Sequence, residues 1–366
     1  MNRPLLLGLG TAVPPYQISQ SSSATVARRF VHESEAGVEL LPALYRMTRV
    51  RRRGSVLLEG PSDGEVHQSF YPHAESLDDR GPSTADRMER YGSEAGPLAI
   101  RSAAAALADA ELPASRVTHL VTVTCTGFYA PGFDAALIEE LGMSLDVERV
   151  QVGFMGCHGA INGLRVARAI SRADASAVVL VVAVELCSLH YQYGWDTDRV
   201  VSNALFADGS SALVVAGSDL SPPELAPLEI AATGSRMVPD SREAMTWRIG
   251  NHGFEMTLSA TVPSIIEDQL RDFLCRWLAA EGFELASIGG WAVHPGGPRI
   301  LQAVEAALEL PREALRISRE VLAEHGNMSS ATLLFILEQF RRERIPGPWL
   351  MLGFGPGLVI EVALLR

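Results

Sequence analysis

The chain has no lysine; all 31 of its basic residues are arginine. Schiff-base chemistry and Walker-type phosphate loops are therefore excluded, because both need the ammonium group. Positive charge is also outnumbered. With 43 acidic residues the net charge is −12, which speaks against a nucleic-acid-binding surface. Cysteine is scarce: Cys125, Cys157, Cys187 and Cys275 are the only four in 366 residues. They form no C-x-x-C pair and no framework spacing, so they read as reduced cytosolic thiols. Metal-ligand spacings and dinucleotide fingerprints are missing as well, and neither a metal nor a redox cofactor is expected. The opening stretch "MNRPLLLGLGTAVPP" is too short and too glycine-broken for a signal peptide or a membrane span. A cytoplasmic protein with no membrane span is expected.

What the chain does have is apolar mass. Hydrophobic residues make up 47% of it, enough for one large domain or two intimately packed ones. The runs "VTHLVTVTC" (117–125), "AVVLVVAVE" (177–185) and "SALVVAG" (211–217) read as strands buried on both faces. Helical patterns lie between them, at 93–110 and 161–170. The stretch 58–90 is polar and rich in Gly, Pro, Asp and Ser, which predicts a long excursion over the surface. The segment "SDLSPPELAPLE" (218–229) reads as a connector.

Beyond that connector the first part repeats. "IGGWAVHPGGPRILQAVEAALEL" (288–310) has the strand–loop–helix shape of "THLVTVTCTGFYAPGFDAALIEELG" (118–142). "EHGNMSSATLLFILEQF" (324–340) parallels "MGCHGAINGLRVARAI" (155–170), and "PWLMLGFGPGL" (348–358) parallels "AVVLVVAVEL" (177–186). Cys157 follows Cys125 by 32 residues, and Asn327 follows His294 by 33. Two pseudo-symmetric halves, 1–220 and 221–366, are expected, forming a layered α/β/α/β/α sandwich with the site where they meet.

Cys157 sits between glycines just ahead of a helical pattern. A helix start offers free N–H groups and the positive end of the dipole, both of which favour a thiolate. A nearby histidine would lower the thiol pKa further and form an ion pair at neutral pH. A buried, inert cysteine fits the same stretch. His294 ends an apolar strand before Pro–Gly–Gly, where α/β sites assemble, although a core histidine also fits. Asn327 stands in "HGNMSSAT" among small residues, a place that also suits an ordinary helix cap. Singly each has a bland explanation; at matching points of a duplicated fold they form one constellation.

These motifs resemble those of the chalcone synthase-like type III polyketide synthases of the thiolase-like superfamily. The resemblance covers nearly the whole chain. "GLGTAVPP" resembles the family's opening, "CTGFYAPG" its loop near the dimer contact and "GCHGA" its nucleophile motif. "NALFADGSSA" (203–212), "HPGGPRIL" (294–301), "HGNMSSATLLFIL" (325–337) and "GFGPGL" (353–358) together are highly specific. The resemblance implies a thiolase-like five-layer αβαβα fold and a homodimer that uses acyl-CoA starters and malonyl-CoA without a cofactor. Cys157 would be the nucleophile, with His294 and Asn327 holding the thioester carbonyl of malonyl-CoA during decarboxylation. Phe206 matches a gatekeeper between the coenzyme A tunnel and the cavity. Thr126, Cys187 and Ser329 fall on the family's cavity wall. The loop Gly353, Phe354, Gly355, Pro356, Gly357 would approach the growing chain. Arg49, Arg51, Arg52 and Arg53 fall where the family contacts coenzyme A phosphates, a role arginine suits, though a solvated charge run also fits.

Departures from the pattern bear on specificity. Met256 replaces a second gatekeeper phenylalanine, and Trp247 falls where plant chalcone synthases carry a cavity-facing glycine. Ala130 stands where plant enzymes place a methionine that reaches across the dimer. His190 takes a position usually held by threonine or cysteine. Starter, number of extensions and ring closure stay open. Rival readings are an initiating β-ketoacyl-carrier-protein synthase, a non-catalytic subunit of the same fold and a cysteine hydrolase. HPGG and GFGPG disfavour the first, intact Cys157, His294 and Asn327 the second, and the lack of local signatures the third.

Overall fold

The computed structural model describes residues 2–366 except 33, 34, 36, 61–66 and 221–227. Most of the connector expected at 218–229, and part of the excursion expected at 58–90, lie outside the described residues.

The first half opens with β1 (Pro4–Ala12), β2 (Gln17–Ser19), α1 (Gln20–Ala27), α2 (Leu41–Met47) and β3 (Arg52–Gly54). It continues through α3 (Thr84–Asp109), β4 (His119–Thr124), α4 (Phe133–Leu141) and β5 (Glu148–Gly153). It closes with α5 (Gly159–Ala173), β6 (Val178–Leu186), α6 (Thr197–Leu205) and β7 (Asp208–Gly217). The second half runs β8 (Leu228–Met237), β9 (Met245–Gly250), β10 (Gly253–Leu258), α7 (Val262–Ala280) and β11 (Gly290–Val293). Then follow α8 (Pro298–Leu308), α9 (Arg316–His325), α10 (Thr332–Glu343), β12 (Trp349–Gly355) and β13 (Val359–Leu365).

Nine strands join in the order β11-β12-β13-β8-β1-β7-β6-β4-β5. The duplication is visible in this order. From the centre outward, β1-β7-β6-β4 and β8-β13-β12-β11 both pair antiparallel, antiparallel, then parallel. Among the described residues β5 has no counterpart in the second half. Among the described strands the halves pair through Leu5 and Leu6 of β1 against Glu229 and Leu228.

Among the described residues three large cores separate five layers, with a small fourth cluster of Val50, Leu205 and Leu322. One lies under α3 on the outer face of the first half, and another under α7 and α8 on the outer face of the second. The third surrounds α5 and α10, which reach strands of both halves and form the middle layer. Alternation along single strands decides the sides: Leu350 and Leu352 face outward while Met351, between them, faces the middle. The β6 run "VVLVVAVEL" is buried throughout, as its continuous apolar character requires. Gly163 permits the close approach of α5, because a Cβ there would stand 2.8 Å from Val123 and 2.9 Å from Val181.

The helix expected at 93–110 starts earlier, at Thr84. Ser83 and Asp86 form a capping box that nucleates it, a local signal outweighed in the sequence by the polar run around it. The surface reading of 58–90 holds for most of its described residues and is corrected at a few. Arg87, Tyr71 and Gln68 are buried, and Arg87 is fully enclosed. Its Nε and Nη1 donate to the carbonyls of Pro82, Leu189 and Tyr191 at 2.8–3.0 Å, which offsets part of the cost of burial, while Nη2 has no partner among the described residues.

Candidate active site

Cys157 occupies a short 3-10 turn, Gly156–His158, that feeds α5. The turn is sharp: Gly156 has φ +75°, and a Cβ there would stand 2.3 Å from Cδ of Pro356. The thiol is buried and meets the side chains of Ser329 and Asn327. Asn327 lies in the loop between α9 and α10 rather than at a helix start, where it bridges to Phe206 of the first half. Its Oδ1 accepts from the Ser329 N–H at 2.9 Å, which leaves the Nδ2 group to donate into the cavity. His294 follows β11, its N–H donating to the Leu352 carbonyl at 2.8 Å. Among the described residues neither of its buried ring nitrogens has a hydrogen-bonding partner.

Two connected chambers meet at Cys157. The outer, about 590 Å³, is walled by Cys157, His294, Asn327, Phe206, Leu258 and Ile300 among others. The inner, about 650 Å³, contains Cys125, Thr126, Cys187, His190, Trp247 and Ser329 in its wall. Phe206 and Met256 line both, together with Ser202 and Met245, and so stand at the junction. Met256 and Trp247 are directly paired across the β9–β10 hairpin. Trp247 is held by its Nε1–H, which donates to the Cys125 carbonyl at 2.8 Å. His190 is locked at both nitrogens. Its Nε2–H donates to the Thr126 carbonyl at 2.8 Å and its Nδ1 accepts from the Phe254 N–H at 3.0 Å. The ring stacks on Phe254 at 4.2 Å, and burial holds its pKa down to about 3.

Burial works against the expected thiolate–imidazolium pair. Burial pushes the Cys157 thiol up to about 12, despite the opposing hydrogen bonds from Ser329 and Asn327. Burial likewise holds His294 down to about 3, with His158 adding to the fall. Burial thus disfavours the charged form of both groups, and the hydrogen bonds from Ser329 and Asn327 work the other way on the thiol. Alkylation of Cys157 by iodoacetamide, followed by peptide mass spectrometry, is expected to quicken about tenfold per pH unit between about pH 6 and 9. A rate already level by about pH 7 would restore the ion pair.

Other expected residues divide. Phe354 and Pro356 line the cavity, but Gly353, Gly355 and Gly357 do not. Gly353 and Gly355 lie against His158, where a Cβ would come within 2.8 and 2.5 Å, so their smallness serves packing rather than the growing chain. Gly357 donates its N–H to the Met245 carbonyl at 3.1 Å. Ala130 is exposed and outside both chambers of the single chain. Arg49 is exposed, and Arg51 and Arg52 pair with Glu324 on the surface. Arg53 is corrected. It is buried and donates to the Asn203 and Phe206 carbonyls at 2.5 and 2.9 Å, so it anchors the junction and cannot reach a phosphate.

Sequence reading missed Glu185, at the end of β6. Its carboxyl accepts from the Cys125 N–H at 2.9 Å, the Thr126 hydroxyl at 2.8 Å and the Ser330 hydroxyl at 2.5 Å. Burial pushes it up to about 7, and its charge raises the neighbouring Cys157 thiol. The signal was present: one acid closing the apolar run "AVVLVVAVE". Among the described residues no group of side chains could hold a metal ion, and no helix is long and apolar enough to cross a membrane.

Comparison with known proteins decides the family. The family model for chalcone and stilbene synthases matches residues 2–220 with its N-terminal domain and 229–366 with its C-terminal domain. The chain belongs to the chalcone and stilbene synthase family. These type III polyketide synthases are acyl-transferring enzymes, and the carrier-protein-dependent, non-catalytic and hydrolase alternatives give way. The chain is 36% identical to the 1,3,6,8-tetrahydroxynaphthalene synthase of Streptomyces peucetius, over 97% of this chain and 91% of that one. It is 32% identical to the alpha-pyrone synthesis polyketide synthase-like Pks18 of Mycobacterium tuberculosis, over 97% and 88%. Among solved structures, PKS-I of the brown alga Ectocarpus siliculosus superposes with a TM-score of 0.91 at 29% identity, covering 100% of this chain and 98% of that one. The type III polyketide synthase domain of Steely1 from Dictyostelium gives 0.87 at 27% identity, covering 100% and 99%. The five-layer thiolase-like fold is thus shared with type III polyketide synthases.

Proposed function

We propose that this type III polyketide synthase loads an acyl-CoA starter on Cys157 of its first half (1–220). It then extends the starter with malonyl-CoA held by His294 and Asn327 of its second half (221–366). The convergence of these three residues on one chamber carries the reading. In loading, the Cys157 sulfur attacks the starter thioester and the thiol proton leaves with the coenzyme A sulfur. Malonyl-CoA then loses carbon dioxide, and the enolate oxygen receives hydrogen bonds from the His294 N–H and the Asn327 Nδ2–H. The enolate carbon attacks the acyl-Cys157 carbonyl, a carbon–carbon bond forms, and the cysteine sulfur departs. The extended chain returns to Cys157, and the last intermediate cyclises to an aromatic or pyrone product. No step requires a cofactor.

The same reading makes the enzyme a cytoplasmic homodimer. An apolar surface beside the β5 edge, with Phe128 41%, Val150 40% and Met155 37% exposed, supports a partner copy next to Ala130. Arg49, Arg51 and Arg52 are the remaining candidates for the coenzyme A phosphates. Incubation with acetyl-CoA and malonyl-CoA, followed by mass spectrometry, is expected to yield pyrones or aromatic rings built of two-carbon units. Turnover only with a malonyl-carrier protein would sink the proposal. Trp247→Gly is expected to shift product chain length while retaining turnover, because the indole fills part of the inner chamber. An unchanged set of product masses would show that Trp247 does not bound the product.

A further inference from the structure

Beyond the inner chamber lies a second one. It offers about 430 Å³ of space, partly open to solvent, among Phe30, Tyr45, Arg53, Leu57, Leu58 and Tyr71. Among the described residues Tyr191 alone lines both. Its ring is held from several directions. It stacks on Tyr71 at 5.9 Å, leans on Phe30 at 5.8 Å and lies under the Arg53 guanidinium at 5.4 Å. The hydroxyl donates to the Phe206 carbonyl at 3.2 Å, and Arg53 donates to the same carbonyl at 2.9 Å. The backbone is pinned as well, by Arg87 on the Leu189 and Tyr191 carbonyls. Elsewhere the inner chamber ends on an interlocked block. There His190 stacks on Phe254 and meets Trp247 edge-on at 5.6 Å.

We propose that Tyr191 is a specificity-determining residue that closes the starter pocket against the second chamber and restricts this enzyme to short acyl-CoA starters. The inference rests on the loading of Cys157 proposed above. A short acyl group on Cys157 fits within the inner chamber. A long alkyl chain meets the Tyr191 ring on one side and the His190–Phe254–Trp247 block on the other. Neither yields without breaking hydrogen bonds inside a packed interior. The second chamber is largely apolar and aromatic, so removing the ring gives a long chain a place where each buried methylene adds affinity.

The test is loading of acetyl-, hexanoyl- and dodecanoyl-CoA in the absence of malonyl-CoA, read as adduct mass on Cys157 of the intact protein. Wild type is expected to take dodecanoyl at least about tenfold more slowly than acetyl. Tyr191→Ala is expected to raise the dodecanoyl-to-acetyl ratio by about tenfold or more. Tyr191→Leu serves if the alanine variant is unstable, and Tyr191→Phe, which keeps the ring, should keep the exclusion. Equal loading of dodecanoyl and acetyl by wild type, or an unchanged ratio in a folded Tyr191→Ala or Tyr191→Leu enzyme, overturns the proposal. Absence of any adduct on wild-type Cys157 overturns the loading step itself, and this inference with it.

Discussion

Cys157→Ala abolishes product formation, with an expected loss of at least about a thousandfold, because no other group can hold the acyl intermediate. The other cysteines cannot substitute. Cys125 and Cys187 are buried in the inner chamber wall with thiols pushed well above their ordinary range, and Cys275 is on the far surface. The fold should be unaffected, since alanine fits the turn and Cys157 forms no disulfide. Carbon dioxide release from malonyl-CoA is expected to fall far less, because His294 and Asn327 keep their places. The measurement is parallel assay of product and of carbon dioxide with each variant. Product from the alanine enzyme at more than a few per cent of the wild-type rate would remove Cys157 from the mechanism.

The largest structural effect is expected at Arg87, far from the chemistry in sequence but next to its wall. Arg87→Met leaves the carbonyls of Pro82, Leu189 and Tyr191 buried without donors. Loss of about 3 kcal/mol of unfolding free energy is expected, measured in urea. The ring contact with Tyr71, at 5.3 Å, is also lost. Arg87→Lys should recover little, because a single ammonium cannot reproduce the planar fork that reaches three carbonyls. A change below about 1 kcal/mol would show that water replaces the guanidinium. Since the Leu189 and Tyr191 carbonyls flank His190, either variant should also loosen the wall and broaden starter use.

Much of this was legible in the sequence. The runs at 117–125, 177–185 and 211–217 became β4, β6 and β7 to within three residues at each end. Continuous apolar character marks strands buried on both faces wherever they lie. Internal likeness between 118–142 and 288–310 pointed to a duplicated fold. Motif resemblance placed Cys157, His294 and Asn327, and the fold brings them to one chamber.

Other features depend on contacts between distant residues. Arg53 belongs to the run "TRVRRRG", yet three-dimensional packing buries it under Phe206, while Arg51 and Arg52 stay on the surface. Residues in one charge run can face opposite environments, and no local pattern tells them apart. The state of the thiol is a second case. A glycine-flanked cysteine ahead of a helix, with a histidine in reach, argues locally for a thiolate, but burial of the whole site works against both charged forms. Local sequence therefore determined the elements and chemical groups, whose preferences act within a few residues. Only the tertiary structure decided which side chains are desolvated and which line each chamber, because desolvation and chamber shape are set by segments far apart in the chain.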